Sequence, residues 1–402
     1  MAYAAEIPYR CYWSTPFAKW QGSLRDLHSI KLAAHVSRQR LQQLEIDPQL
    51  FDLVVLGHTI PQKDCFYGAP WYGGLVGANK AGGPTVSQAC ATGVRSVLTG
   101  AQEIQFGMSQ MALITTCDRT SNGPHVVYPS PAGPGGTAGH ENPVWDNMQC
   151  DPLGGHSMLA TAENVAKKYN VSTKEQHDVV LRRTEQYAAA LANDRAFQKG
   201  YLTLGMEIPS PDFRKTVGVL GGDEGVTNST PEGLARLKPV MAGGTVTYGG
   251  QTHPADGNVS IILATADRAR ELSRDPNIRI TLEGFGLARA PLAFMPEAPV
   301  PAARRALENA GVDIKQIDVV KSHNPFAVND IVFSRETGFD LMAMNNFGCS
   351  LIWGHPNGPT GMRGIIEMIE ELVMRGGGLG LFQGCAAGDT AMATVIKVTG
   401  KR

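Results

Sequence analysis

Two stretches of the chain, LEIDPQLFDLVV at residues 44–55 and AGVDIKQIDVVK at residues 310–321, look like two copies of one pattern. In each copy a polar turn leads into a short apolar run, as in strands that are buried on both faces. The likeness continues downstream in two more pairs of segments: TGVR (92–95) with TGMR (360–363), and ALITTC (112–117) with GLFQGC (380–385). Self-similarity of this length predicts two copies of one α/β unit packed together.

Segments with helical spacing alternate with short apolar runs, which favours an α/β fold. The predicted helices are 27–44, 91–106 and a single helix around 160–187, and the predicted strands are 51–56, 111–116, 317–321 and 379–383. The middle of the chain is rich in Pro, Gly, Asn and His, which indicates a long excursion that covers a site. The predicted domains are a first half (1–119 plus 250–272), a cap (120–249) and a second half (273–402).

The composition excludes several classes of protein. With 43% hydrophobic and 18% charged residues, the chain suits a globular protein with large buried cores. A net charge of −1 lacks the basic excess of a nucleic-acid binder. No apolar run approaches the roughly 18 residues of a membrane span, and the start MAYAAEIPYR is unlike a signal peptide. We therefore expect a cytoplasmic protein without nucleic-acid or membrane partners.

Two matched turns carry residues with catalytic potential. PTVSQACATG (84–93) places Cys90 close to a helix N-terminus, where the dipole and free N–H groups lower a thiol pKa and can hold an oxyanion. The equivalent WGHPNGPTG (353–361) presents His355 between Gly and Pro, a position suited to a base or an oxyanion donor. A small buried thiol and a histidine that satisfies the turn backbone are the alternatives.

Two other buried strands end in polar residues, SHNPF (322–326) and GCAAGD (384–389). Cys385 is a second thiol that could carry a proton to and from carbon. Its repeat partner is Cys117, so a purely structural thiol is an equal alternative. The seven cysteines are scattered without a C-x-x-C pair, and the sequence predicts no metal site.

Taken in order, these motifs resemble the thiolases along residues 12–398. The matching segments are CATG (90–93), HNPF (323–326), GHPNGPTG (354–361) and GCAAG (384–388). The resemblance implies a thiolase fold, in which two duplicated halves form five layers (α, β, α, β, α) with an inserted cap.

The resemblance also implies a role for each matching residue. Cys90 would carry the acyl group, His355 would activate it, and Cys385 would be the acid/base at the α-carbon. Further implied positions are Ala387 in the oxyanion hole, Met158 in the pocket and Thr252 at the pantetheine arm. The phosphates of coenzyme A (CoA) need basic neighbours, for which the candidates are Arg214, Lys215, Arg236 and Lys238, although these could equally be ordinary surface charge.

The chain departs from the usual thiolase pattern at residues 249–252 and 386–387, and at three polar residues. His323 stands where most thiolases have an asparagine that holds a catalytic water, and a His-x-x-Phe version is found in sterol-carrier-type and archaeal-type thiolases. His253 and Asp389 add polar groups near the site. They imply a substituted or charged substrate, with family drift as the alternative.

The resemblance implies an acyltransferase that uses CoA as co-substrate, with no bound cofactor. It would cleave a 3-oxoacyl-CoA, or run the reverse Claisen condensation, on a substituted or aromatic substrate such as benzoylsuccinyl-CoA. The expected assembly is a homodimer or higher oligomer, with a small zinc-containing OB-fold subunit as a further partner. The alternatives are a condensing synthase, which the presence of both Cys90 and Cys385 disfavours, and a non-catalytic CoA-binding subunit, which His323 and the altered residues 386–387 motivate.

Overall fold

A computed structural model describes residues 2–400. The strands are β1 Ala5–Glu6, β2 Tyr12–Ser14, β3 Ala18–Lys19, β4 Leu53–Gly57, β5 Thr85–Val86, β6 Met111–Arg119, β7 Val126–Tyr128, β8 Gly139–Glu141, β9 Met206–Pro209, β10 Thr216–Leu220, β11 Ala255–Thr265, β12 Arg279–Arg289, β13 Val319–His323, β14 Gly378–Ala386 and β15 Thr390–Thr399. The helices are α1 Ser29–Gln43, α2 Ala69–Val76, α3 Thr92–Gln105, α4 Trp145–Gln149, α5 Met158–Lys168, α6 Thr173–Arg195, α7 Pro231–Ala235, α8 Ala266–Leu272, α9 Pro299–Ala310, α10 Ala327–Thr337, α11 Ser350–Trp353 and α12 Gly358–Arg375.

The two halves contribute corresponding strands to the main sheet. Its order is β13-β14-β15-β12-β1-β11-β6-β4-β5. Strand β4 runs parallel to β6, and β13 runs parallel to β14. The short β1 pairs antiparallel with both β11 and β12, so it joins the strands of the first half to those of the second.

The helices form the layers on either side of these strands. Helices α3 and α12 contact each other and lie between the two sets of strands, α3 against β4 and β6 and α12 against β13 and β14. The outer layers are α1 and α2 on the first half and α9 and α10 on the second. One apolar cluster lies between the outer helices and the strands of each half, and a larger cluster surrounds the central helices α3 and α12. This arrangement confirms the predicted thiolase fold with duplicated halves.

Close packing of two helices explains the glycine that both copies share, Gly93 in the first and Gly361 in the second. A Cβ added to Gly93 would lie 2.7 Å from the carbonyl oxygen of Gly358 and 2.8 Å from the backbone nitrogen of Met362. Only a residue without a side chain allows α3 and α12 to approach this closely. The close contact brings together the turns that precede the two helices, and those turns carry Cys90 and His355.

Most of the predicted elements are present, with one exception. The single helix expected around 160–187 is two helices, α5 and α6, separated by a turn in which Asn170 has a φ of 50°. Ser172 then caps α6 in a capping box with Glu175, which starts a new helix where apolar spacing alone indicated continuity. Within residues 2–400, the helices are all too short or too polar to span a bilayer. The predicted domain boundaries stay a prediction.

Candidate active site

Cys90 lies on a tight turn directly before α3. Ala89 adopts a φ of 44°, which L-residues rarely do, and the side chain of Thr92 holds the turn from inside the helix. The Thr92 hydroxyl accepts a hydrogen bond from the backbone N–H of Gln88 (2.7 Å) and donates one to the carbonyl of Ala89 (2.7 Å). The turn thus directs the Cys90 thiol into a cavity that it helps to line.

His355 reaches Cys90 from the matching turn of the second half. Its Nε2 lies 3.0 Å from the Cys90 sulfur, and its Nδ1 lies 2.7 Å from the hydroxyl oxygen of Thr360. Nδ1–H donating to Thr360 leaves Nε2 free to accept the thiol proton. This is the arrangement of an activated nucleophile: a thiol, a base and a group that orients the base.

The electrostatics of this pair correct one expectation. Burial raises the pKa of the Cys90 thiol to about 11, although the backbone N–H groups of Ala387 and Cys90 act to lower it. Burial also lowers the pKa of His355 to about 3, helped by the nearby His253. Proximity to a helix N-terminus therefore does not yield a thiolate here, because desolvation outweighs it. Burial therefore favours the uncharged form of both the thiol and the imidazole.

His323 ends β13 and stacks on His355, with ring centroids 4.1 Å apart. Its Nδ1 lies 2.9 Å from the hydroxyl oxygen of Ser350, while its buried Nε2 has no hydrogen-bond partner within residues 2–400. Burial and the neighbouring His355 hold the pKa of His323 well below its usual value. A neutral imidazole with a free Nε2 therefore faces the same space as Cys90.

Cys385 lies near the end of β14 and lines the same cavity. The side-chain amide of Asn329 donates a hydrogen bond to its sulfur over 3.3 Å. Burial raises the pKa of Cys385 well above its usual value, Cys90 raises it further, and the Asn329 donor opposes both. Cys385 is thus a buried, protonated thiol in the same cavity as Cys90, which is the state that a proton donor needs.

The cavity that unites these groups has a volume of about 940 Å³. Large apolar side chains form much of its wall: Trp145, Met148, Met158, Leu159, Leu234, Leu237, Met295 and Phe326. Among the described residues that line it, none is Asp, Glu, Lys or Arg. The wall of the cavity is therefore apolar or uncharged throughout its described residues.

Comparison with known families decides the identity of the fold and its site. Residues 13–267 match the model of the thiolase N-terminal domain, and residues 277–398 match that of the thiolase C-terminal domain. The chain belongs to the thiolase family. As predicted, it is an acyltransferase by family.

Curated relatives and solved structures agree with this assignment. The chain is 30% identical over 396 residues to the acetyl-CoA acetyltransferase of Escherichia coli, covering 95% of this chain and 96% of that protein. It is 28% identical over 390 residues to the human mitochondrial 3-ketoacyl-CoA thiolase, covering 96% of both. The crystal structure of that human enzyme superposes with a TM-score of 0.89 over 99% of this chain and all of that one, at 27% identity. Its complex with CoA gives a TM-score of 0.88.

Other residues predicted from the thiolase pattern fall both inside and outside the cavity. Met158, Thr252 and His253 line it. Arg214 and Lys215 do not line it; they are exposed, at the turn between β9 and β10. Arg236 and Lys238 are also exposed, but they alternate with Leu234 and Leu237, which do line the cavity.

The expectation for Asp389 is wrong. Its carboxylate is buried away from the cavity wall and accepts a hydrogen bond from the backbone N–H of Ala293 over 3.0 Å. The ring of His156 lies next to it, with Nε2 at 3.9 Å from the carboxylate. Asp389 therefore fixes the loop that precedes α9, and it gives no support for a charged substrate.

Sequence reasoning also missed residues of this thiolase that orient the reacting groups. Thr360, Ser350 and Asn329 each hold one of them through a hydrogen bond. The repeat pairs Thr360 with Thr92, which could have marked it as a turn-stabilising hydroxyl, but nothing local distinguishes Ser350 or Asn329. The spacing of the cysteines likewise gives no sign that one ligand atom each of Cys90, His323 and His355 lie within 4.8 Å of one another.

Proposed function

We propose that this thiolase cleaves a 3-oxoacyl-CoA that carries a bulky, uncharged acyl group, with Cys90 as the acyl carrier and CoA as the acceptor. The observation that carries the proposal is the 3.0 Å contact between the Cys90 sulfur and His355 Nε2 in a large uncharged cavity that also contains Cys385. Two thiols and one base are what two successive acyl transfers require.

In the first transfer, the Cys90 thiol passes its proton to His355 Nε2 as the sulfur attacks the 3-keto carbon. Because both groups are neutral at rest, proton transfer accompanies formation of the S–C bond. The backbone N–H groups of Cys90 and Ala387 would hold the tetrahedral oxyanion. The C2–C3 bond then breaks, Cys385 gives its proton to C2, and acetyl-CoA or its substituted equivalent leaves, while the shortened acyl group stays on Cys90.

In the second transfer, the thiol of CoA attacks the acyl-Cys90 thioester. Its proton goes to the Cys385 thiolate, which restores the acid for the next cycle. The Cys90 sulfur leaves and recovers the proton held by His355. In the position where most thiolases have an asparagine, His323 Nε2, free and facing the same space, would accept a hydrogen bond from the catalytic water. Run in reverse, these steps are a Claisen condensation.

The uncharged cavity wall favours an aromatic or other large apolar acyl group over a substrate with a free carboxylate. Benzoylsuccinyl-CoA has the aromatic ring that Trp145 and Met148 could contact. Its carboxylate, however, would find no cationic side chain among the described lining residues. Within the substituted substrates, we therefore favour aromatic 3-oxoacyl-CoAs without that carboxylate. Thr252 would contact the pantetheine arm, and Arg236 and Lys238 are better placed for the CoA phosphates than Arg214 and Lys215.

The assembly is also part of the proposal. Strand β5 is the last strand of the main sheet, and Phe66 and Tyr67 in the segment before it are 93% and 73% exposed. An open sheet edge with apolar neighbours is a template for pairing with a second copy, which supports a homodimer. Light scattering of the purified protein tests this. We also propose a cytoplasmic location. A small zinc-containing OB-fold subunit is a further proposed partner, and the enzyme would require it if the purified chain alone gives no turnover.

The intact mass of the protein after incubation with a panel of 3-oxoacyl-CoAs tests the function. The panel contains acetoacetyl-CoA, a long-chain homologue, benzoylacetyl-CoA and benzoylsuccinyl-CoA, and Cys90→Ser is the control. We expect an acyl adduct on the wild type only, discharged by free CoA and formed fastest from benzoylacetyl-CoA. A lack of adduct from every member, while CoA still binds, would overturn the proposal and favour a non-catalytic CoA-binding subunit. Adducts that CoA cannot discharge would favour a condensing synthase.

A further inference from the structure

Three side chains with metal-ligating atoms converge in the active site. The sulfur of Cys90 and one ring nitrogen each of His323 and His355 lie within 4.8 Å of one another. The sulfur is 3.0 Å from His355 Nε2, and the two imidazoles are stacked with an angle of 24° between their planes. The proposed reaction pairs Cys90 with His355, but it does not require all three groups to bind one atom.

Hydrogen bonds on the far side of each ring fix its orientation. His323 Nδ1 lies 2.9 Å from the hydroxyl oxygen of Ser350, and His355 Nδ1 lies 2.7 Å from that of Thr360. Both Nε2 atoms are therefore left for the shared space. Histidines that bind metals are held in this way, with the second ring nitrogen donating to an oxygen.

The donor set selects the kind of ion. Tetrahedral zinc has Zn–S bonds of about 2.3 Å and Zn–N bonds of about 2.0–2.1 Å, which place its ligand atoms roughly 3.3–3.6 Å apart. The 3.0 Å between the Cys90 sulfur and His355 Nε2 is close to that range, whereas the widest separation in the group reaches up to 4.8 Å, so the stacked rings must tilt to direct both nitrogens at one ion. Ca²⁺ and Mg²⁺ need oxygen ligands, and no carboxylate is present among the described residues that line the cavity.

We propose that Cys90, His323 and His355 form a binding site for Zn²⁺, and that its occupation reversibly blocks the nucleophile. On binding, the Cys90 S–H bond breaks, the sulfur–zinc bond forms and the proton leaves to solvent. Three protein ligands leave the fourth coordination position open towards the cavity, as in zinc sites that keep an exchangeable ligand. Zinc and the acyl group compete for the same sulfur, so each excludes the other.

Cobalt(II) titration of the full chain tests the site without turnover, because a cobalt–thiolate bond gives a near-ultraviolet charge-transfer band. We expect one Co²⁺ per chain with this band, displaced by Zn²⁺. The His323→Asn variant should bind at least tenfold more weakly and Cys90→Ser should lose the band. Cys385→Ser, which removes the other cavity thiol, and Cys65→Ser, which removes a thiol outside the cluster, should both keep it.

A second variant, Ser350→Ala, tests the site if His323→Asn does not fold. Ser350→Ala leaves all three ligands in place but frees the His323 ring, so it should weaken cobalt binding severalfold while preserving the 3.0 Å Cys90–His355 pair. Binding that is unchanged in both His323→Asn and Ser350→Ala, or a band lost in Cys65→Ser instead of Cys90→Ser, would overturn the proposal. Because the readout is metal binding, it is independent of the acyl-adduct experiment that tests the proposed function.

Discussion

Burial favours the uncharged forms of Cys90 and His355, the two residues that we propose as nucleophile and base in this thiolase. Burial raises the pKa of Cys90 and lowers that of His355, so the proton lies on sulfur in the free enzyme. Such a pair is protected from unspecific alkylation and oxidation, which attack the thiolate. The same neutrality makes catalysis depend on geometry, since the base must already point at the thiol.

A single hydroxyl provides that orientation for His355, and its removal should slow the chemical step. Thr360→Val keeps the size of the side chain but loses the 2.7 Å partner of Nδ1. One neutral hydrogen bond contributes about 1–1.5 kcal/mol, so we expect kcat to fall about tenfold with little change in KM. Steady-state kinetics measure this, and Thr360→Ser, which restores the hydroxyl, should recover most of the rate. Equal kcat for the valine variant and the wild type would contradict the role.

Cys385 should respond to its amide neighbour through the pH dependence of condensation. Asn329→Asp removes the donor to the Cys385 sulfur and adds a negative charge, and both changes raise a thiol pKa that burial has already raised. Condensation requires the Cys385 thiolate, so less of the active form exists at each pH. We expect the rising limb of its pH–rate profile to move up by about one unit or more.

The aspartate variant is chosen because it preserves the local backbone. Asn329 Oδ1 accepts a hydrogen bond from the backbone N–H of Phe326 at the start of α10, and an aspartate oxygen can do the same. An Asn329→Asp enzyme whose profile coincides with that of the wild type would show that Cys385 does not act as the base.

At the scale of elements, close helix–strand contact makes particular glycines irreplaceable. A Cβ on Gly286 of β12 would lie 2.0 Å from the carbonyl oxygen of Ala302 and 2.6 Å from the nitrogen of Ala306, both in α9. Backbone atoms of a helix cannot move aside, so Gly286→Ala should destabilise the protein by roughly 1–3 kcal/mol. The thermal midpoint should fall by several degrees.

Gly74 provides a matched control for that substitution. It is an exposed position in α2, and a Cβ there would meet nothing within 4 Å. Gly74→Ala should leave the midpoint unchanged or raise it slightly, because alanine favours a helix by about 0.5–1 kcal/mol. Similar midpoints for the two variants in differential scanning calorimetry would contradict the packing argument.

The elements could be predicted where apolar periodicity and turn residues agree, as for α1, α3 and β6. The break between α5 and α6 was missed because its signals, an asparagine at positive φ and the Ser172–Glu175 capping box, are short and polar. The site was predictable where the duplication paired two turns, which gave Cys90 and His355. Ser350 and Asn329 could not be found in this way, because their partners are distant in sequence and meet only in the folded chain.

At the scale of the whole molecule, one buried carboxylate joins the cap to both halves. Asp223 of the cap accepts two hydrogen bonds from the Arg363 guanidinium, at 2.6 and 2.7 Å. It also accepts one from the backbone N–H of Phe17 in the first half and one from the hydroxyl of Tyr187 in α6. Arg363 lies in α12, the helix that follows the His355 turn, and also pairs with Glu367 at 3.0 Å. We therefore expect this buried ion pair to help hold the predicted cap against both halves.

Removing one partner should cost more than removing both. Arg363→Met leaves Asp223 as an uncompensated buried charge, which typically destabilises a protein by about 3–5 kcal/mol. In the double variant Arg363→Met/Asp223→Asn, the charge is gone and the amide can still accept from Phe17, so part of that loss should return. Urea unfolding of the wild type, Arg363→Met, Asp223→Asn and the double variant forms a double-mutant cycle that measures the coupling. If the single variant is insoluble, recovery of soluble protein in the double variant gives the same answer. Equal stability of the two variants would contradict the role of the ion pair in holding the cap.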